Sequence, residues 1–77
     1  MSHLICMART SSKQKLGKKV RELRKAQGWT QENLEEYSGL DRTYISDIER
    51  GVRNPSLKSL EKLAKALKVK LSDLTDF

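Results

Sequence analysis

The 77-residue sequence predicts an all-α domain of about five helices, and three of its features point that way. Apolar residues recur at helical spacing, glycines stand where helices would stop, and no stretch alternates apolar and polar side chains long enough for a β-strand. There is no internal repeat or low-complexity segment. A chain this short holds one small core, with no room for a separate ligand-sensing module. Residues 1–12, ending in Thr10-Ser11-Ser12, show no sustained periodicity and are expected to be a disordered arm. Residues 13–77 form the domain.

Each helix has its own justification. From Lys13 to about Gln27, Leu16, Val20 and Leu23 fall at i, i+4 and i+7, and Gly28 follows as a stop. A second helix is expected from Gln31 to about Ser38, capped by Thr30, and a third from Arg42 to about Arg50, capped by Asp41. Gly39 lies between them, where a sharp corner needs positive φ, and Gly51 ends the third. After the loop Val52-Arg53-Asn54-Pro55, a fourth helix from Pro55 or Ser56 to Leu67 places Leu57, Leu60, Leu63, Ala64 and Leu67 on one face. Most of the core should rest on that stripe. Ser72 is expected to cap a last short helix that bears Leu74 and ends at Phe77.

Composition narrows the function. Sixteen basic and ten acidic side chains give a net charge of +6, which suits nucleic acid or an acidic membrane surface. The charge is uneven: +7 over residues 1–29, −3 over 30–54 and +2 over 55–77. General attraction to phosphate must therefore come from the flanks, chiefly Lys13, Lys15, Lys18, Lys19 and Lys25, while the acidic centre supplies local geometry. One cysteine, Cys6, excludes an internal disulfide, and with the single histidine, His3, it supplies too few ligands for a metal site. The start of the chain has a short apolar run with no basic stretch before it, unlike a signal peptide or a membrane span, so a cytoplasmic protein is expected. Met7 could serve as a second start, or the first six residues could be an appended leader. No Ser/His/Asp set, glycine-rich phosphate loop or metal constellation can be assembled, so no enzyme and no cofactor is implied.

Residues 30–50, two short capped helices around Gly39, have the pattern of a DNA-reading helix-turn-helix. Stepping about 100° per residue along the third helix puts Ile45 and Ile48 on the buried side and Thr43, Ser46, Asp47 and Arg50 opposite, with Arg42 and Tyr44 at the margins. The exposed face of a purely structural bundle would look the same; the turn and cap before it favour DNA. A guanidinium at Arg42 could reach guanine N7 and O6, the Thr43 methyl could touch thymine, and Asp47 could accept from cytosine N4 or pair with Arg50 or Arg53. Gln31, at the open start of the second helix, suits a phosphate oxygen; its alternative is a plain first-turn residue. Arg53 and Asn54 could hold a second phosphate or simply form the loop.

Leu23-Arg24, Gly28-Trp29-Thr30-Gln31-Glu32, Gly39-Leu40, Tyr44-Ile45-Ser46, Ile48-Glu49-Arg50-Gly51, Asn54-Pro55-Ser56-Leu57 and Leu63-Ala64-Lys65-Ala66-Leu67-Lys68-Val69 stand in this order along the chain. In this arrangement the sequence resembles the lambda-repressor-like, or XRE, helix-turn-helix family from about Leu16 to Leu74. Within it, Asp41-Arg42-Thr43-Tyr44-Ile45-Ser46 and the compact length look like the controller proteins of restriction-modification systems. The resemblance implies a five-helix domain, a third helix in the major groove and a homodimer on a palindromic operator. It makes Arg42, Thr43 and Asp47 base readers with Ser46 as a helper, and Gln31, Arg53 and Asn54 backbone contacts. It also pairs Arg24 with Glu49 across the first and third helices. Two positions depart from the family pattern: Glu35 replaces a usual small alanine, and Asn33 a common glutamate. The Glu35 carboxylate must angle outward or find a cation.

The leading expectation is a dimeric, sequence-specific regulator on double-stranded DNA. Leu71, Leu74 and Phe77 offer apolar surface for the second copy, with capping of the monomer core as the competing use. Repression, or activation through RNA polymerase contact, would need only different operator placement. A helix-turn-helix protein-interaction module or antitoxin-type partner would share the fold.

Overall fold

A computed structural model describes residues 12–75, which form five helices: α1 (Ser12–Ala26), α2 (Gln31–Ser38), α3 (Arg42–Glu49), α4 (Leu57–Leu67) and α5 (Leu71–Thr75). The expected arm at residues 1–11, including His3 and Cys6, lies outside the described residues, as does Phe77. Ser12, placed in the arm from sequence, is instead the first residue of α1.

The caps explain where the helices begin. Thr30 Oγ1 accepts from the Asn33 amide at 3.2 Å and Asn33 Oδ1 accepts from the Thr30 amide at 3.0 Å, a reciprocal box that satisfies two first-turn donors. Asn33 thus does the work of the glutamate usual in the family. Gly39 adopts φ 76°, and its amide donates to the Glu35 carbonyl to close α2. Ser56 caps α4 through the Ser59 amide at 3.1 Å. The last helix departs from expectation. It starts at Leu71, and the side chain at its head is Asp73, whose Oδ2 accepts from the Lys70 amide at 3.0 Å. Ser72 lies inside the helix and caps nothing.

All five helices share one core. Leu16, Val20, Leu34, Leu40, Ile45, Ile48, Leu63, Ala64, Ala66, Leu67 and Leu74 are buried together, and Leu23, Trp29, Tyr44, Leu60 and Val69 pack at its margin. Leu57, assigned to the apolar face of α4, is 63 % exposed: it occupies the first position of the helix, at the rim of the bundle. Three side chains at the C-terminal end were candidates for a partner surface. Leu74 is fully buried within its own chain and is removed from that set, whereas Leu71 is half-buried.

Gly17 marks a close approach between α1 and α3. A β-carbon at Gly17 would stand 2.2 Å from the Ile48 carbonyl oxygen and 2.8 Å from that of Glu49. Only glycine lets the two backbones meet there. The crossing carries the last turn of α3 against α1 and brings Glu49 to Arg24.

Candidate nucleic-acid interface

The exposed face of α3 is framed by carboxylates from its own cap and from the helix before it. Asp41 Oδ2 accepts from the Thr43 amide at 2.9 Å, and Glu35 Oε2, on α2, accepts from the Arg42 amide at 3.0 Å. Both satisfy orphan first-turn donors and set negative charge at the positive end of the helix dipole. Glu35 was expected to angle outward or find a cation. It finds a backbone amide instead, so the bulky residue at this family position ties α2 to α3.

Arg42 and Thr43 are both exposed at the first turn of α3. The Arg42 guanidinium stands 3.4 Å from Glu32 Oε2, an ion pair open to solvent on both sides. Such a pair is worth little and exchanges readily for another acceptor. Ser46 and Asp47, further along, are half-buried. Asp47 Oδ1 accepts from Arg50 at 2.5 Å and Oδ2 from Arg53 at 3.4 Å. The Arg50 hydrogen bond, with its charge, and then the Arg53 contact hold the Asp47 carboxyl below the ordinary carboxylate range, against a smaller opposing effect of burial. Both oxygens of Asp47 are thus already accepting from arginines in the free chain.

Arg53 also lies over the Tyr44 ring, 4.9 Å from its centroid. The Tyr44 hydroxyl hydrogen-bonds Ser59 Oγ at 3.1 Å and accepts from the Ser56 amide at 3.3 Å. Tyr44 therefore fixes the loop that carries Arg53 and Asn54. From sequence it was only a margin residue of α3, because its partners lie twelve and fifteen positions away and no periodicity links them. Asn54 is exposed in that loop.

At the other end of α3, the side chains of Arg24 and Glu49 are 10 % and 4 % exposed and make a bidentate pair, Nε to Oε2 at 2.7 Å and Nη2 to Oε1 at 3.0 Å. The remaining Arg24 nitrogen, Nη1, donates to the Trp29 carbonyl at 2.7 Å, which anchors the loop before α2. Gln31 joins the pair: its Nε2 donates to Glu49 Oε1 at 3.1 Å. A hollow at the start of α2 is lined by Lys25, Thr30, Gln31, Glu32 and Arg42 among others. The fold thus brings Gln31 and Arg42 to one hollow and gathers Asp47 and Arg53 at the far end of α3. Among the described residues no group of three His, Cys, Asp or Glu side chains could hold a metal ion, and no helix is long and apolar enough to cross a membrane.

Two capped helices around a glycine corner, with an open first turn on the second, now have sequence relatives to set beside them. The profile of the family described as "Helix-turn-helix" matches residues 20–74. The chain belongs to that family. The helix-turn-helix chain is 53 % identical over 62 residues to control protein C.BamHI of Bacillus amyloliquefaciens, covering 79 % of this chain and 76 % of the relative. Its fold is similar to that of the restriction-modification controller protein C.AhdI from Aeromonas hydrophila, with a TM-score of 0.78, 48 % identity and coverage of 80 % and 94 % of the two chains. It is also similar to the controller protein C.Esp1396I, solved as a tetramer in complex with its natural 35 base-pair operator. There the TM-score is 0.74 at 44 % identity, over 79 % and 80 % of the two chains. The all-α, five-helix expectation and the resemblance to controller proteins agree with these relatives.

Proposed function

We propose that this chain is a sequence-specific, double-stranded-DNA-binding transcriptional regulator of the controller type, acting as a homodimer on a palindromic operator that governs restriction-modification genes. The observation that carries this is the open first turn of α3. Arg42 and Thr43 are exposed at a doubly capped helix start, on a framework 44 % identical to a controller solved on its operator. With α3 in the major groove, Arg42 exchanges the Glu32 carboxylate for guanine N7 and O6, and Thr43 offers its methyl to thymine. Ser46 is a helper. Asp47 reads cytosine N4 only by giving up one of its two arginines, so its first role is to orient Arg50 and Arg53. Gln31 and the exposed Arg53 and Asn54 hold the DNA backbone. A cytoplasmic location goes with DNA binding in bacteria. Whether the bound protein represses, or activates through contact with RNA polymerase, is set by operator placement.

Selection of bound sequences from a random DNA pool, followed by titration of variants on the selected operator, tests this. Arg42→Ala should weaken the operator by about 1 to 3 kcal/mol and change the preferred base at one symmetric position in each half-site. Gln31→Ala should weaken all sequences alike, because a phosphate is the same at every step. Uniform loss for Arg42→Ala would move Arg42 to the backbone and leave specificity to Thr43 and Ser46.

A further inference from the structure

Between α1, α2 and α3 lies a cleft of about 190 Å³, lined by Arg21, Arg24, Gln31, Glu49 and Arg50. Its three arginines are not equivalent. Arg24 is engaged by Glu49 and the Trp29 carbonyl, and Arg50 by Asp47. Arg21 is exposed and, among the described residues, has neither an ion pair nor a hydrogen bond. It is the cation of the cleft left with charge to spare. Beside it the Gln31 amide donates one N–H to Glu49 Oε1, which leaves its second N–H without a partner and fixes the plane in which it points. Glu49 does not repel an anion there, because Arg24 neutralises it through two hydrogen bonds.

We infer that this cleft, which shares Arg24 and Gln31 with the hollow at the start of α2, is a phosphate-binding subsite in which one DNA backbone phosphate is held between the Arg21 guanidinium and the free N–H of the Gln31 side chain. Glu49 is the positioning residue that aims the Gln31 amide. A guanidinium fork matches the oxygens of a phosphate, and an amide already pinned on one side loses little further freedom on binding. The α2 backbone amides are left to the hollow. This subsite rests on the DNA-binding function proposed above.

The test uses the selected operator as a series of duplexes, each with one phosphate replaced by a neutral methylphosphonate. The wild-type chain should lose about tenfold in affinity at one symmetric phosphate per half-site, the scale of one hydrogen bond to a charged group. Arg21→Gln should lose a similar factor on unmodified DNA, flatten the salt dependence by about one unit per protomer and become markedly less sensitive to that methylphosphonate. Gln31→Ala should lose the amide's share of the sensitivity at the same phosphate with its salt dependence unchanged, and Arg21→Lys should restore the wild-type slope. Arg21 is exposed, so the thermal melt of each Arg21 variant should match wild type. Wild-type affinity and slope for Arg21→Gln, or a sensitive phosphate different from that of Gln31→Ala, would overturn the subsite and leave DNA binding standing. Failure of the wild-type chain to select any DNA would overturn both.

Discussion

Arg24 directs its donors inward, two to Glu49 and one to the Trp29 carbonyl, so a single buried side chain ties α1 to α3 and to the loop before α2. With the pair almost out of solvent, removing one partner strands the other charge. Arg24→Met or Glu49→Leu alone should cost about 3 to 5 kcal/mol, and the double variant should cost less than the sum. Chemical denaturation of the three variants measures this; small additive losses would show that the pair contributes nothing as a pair. Asp47 gives a pH-dependent counterpart. Its carboxyl is held below the ordinary range by Arg50 and Arg53, so its contribution to stability is fully present above the unfolded carboxylate pKa and is lost as pH falls through the lower folded value. Acidification through and below the ordinary carboxylate range should therefore lower the melting temperature of wild type more than that of Asp47→Asn. Parallel melting curves for the two proteins would count against it.

At the scale of the helices, the α1–α3 crossing sets the geometry of the interface, and Gly17 sets the crossing. In an open helix Gly17→Ala would be favourable by about 1 kcal/mol. Here the added methyl meets the Ile48 and Glu49 backbone carbonyls, so backbone and not a flexible side chain must shift. We expect a net loss of about 1 to 3 kcal/mol, read as a lower urea midpoint with an unchanged slope. Equal or greater stability would mean that the helices separate without cost. The periodicity of α1 shows Leu16, Val20 and Leu23 but is silent on Gly17, since a lone glycine in a helical pattern does not say what lies opposite. Cap chemistry was legible wherever it was local, as at Thr30 and Asp41. It was misread at Ser72, where Asp73, one residue further on, is the side chain that reaches the Lys70 amide.

For the whole molecule, one domain of this size reads few base pairs, so two copies are needed for useful specificity. Sedimentation on the selected operator should show at least two protomers, with half-site centres about 34 Å apart. A strictly 1:1 complex on the full operator would remove the homodimer. With Leu74 committed to its own core, Leu71 is the candidate among the described residues that is left for the proposed partner surface. The sequence by itself determined the helical class, the turn at Gly39 and the buried side of α3, and it nominated the side chains proposed to meet DNA. Each of these depends on neighbours within about one helical turn, where spacing and cap chemistry act directly. Arg24 and Glu49 were paired from sequence only through the family resemblance, because residues so far apart leave no periodic trace of their contact. Tertiary structure alone decided which candidate groups stand free and which are already engaged. Glu35 on the Arg42 amide, Glu32 beside Arg42, Gln31 on Glu49 and Asp47 between two arginines all depend on how side chains from different turns and helices meet. A linear pattern records what a residue can bond to, and only packing fixes what lies within reach.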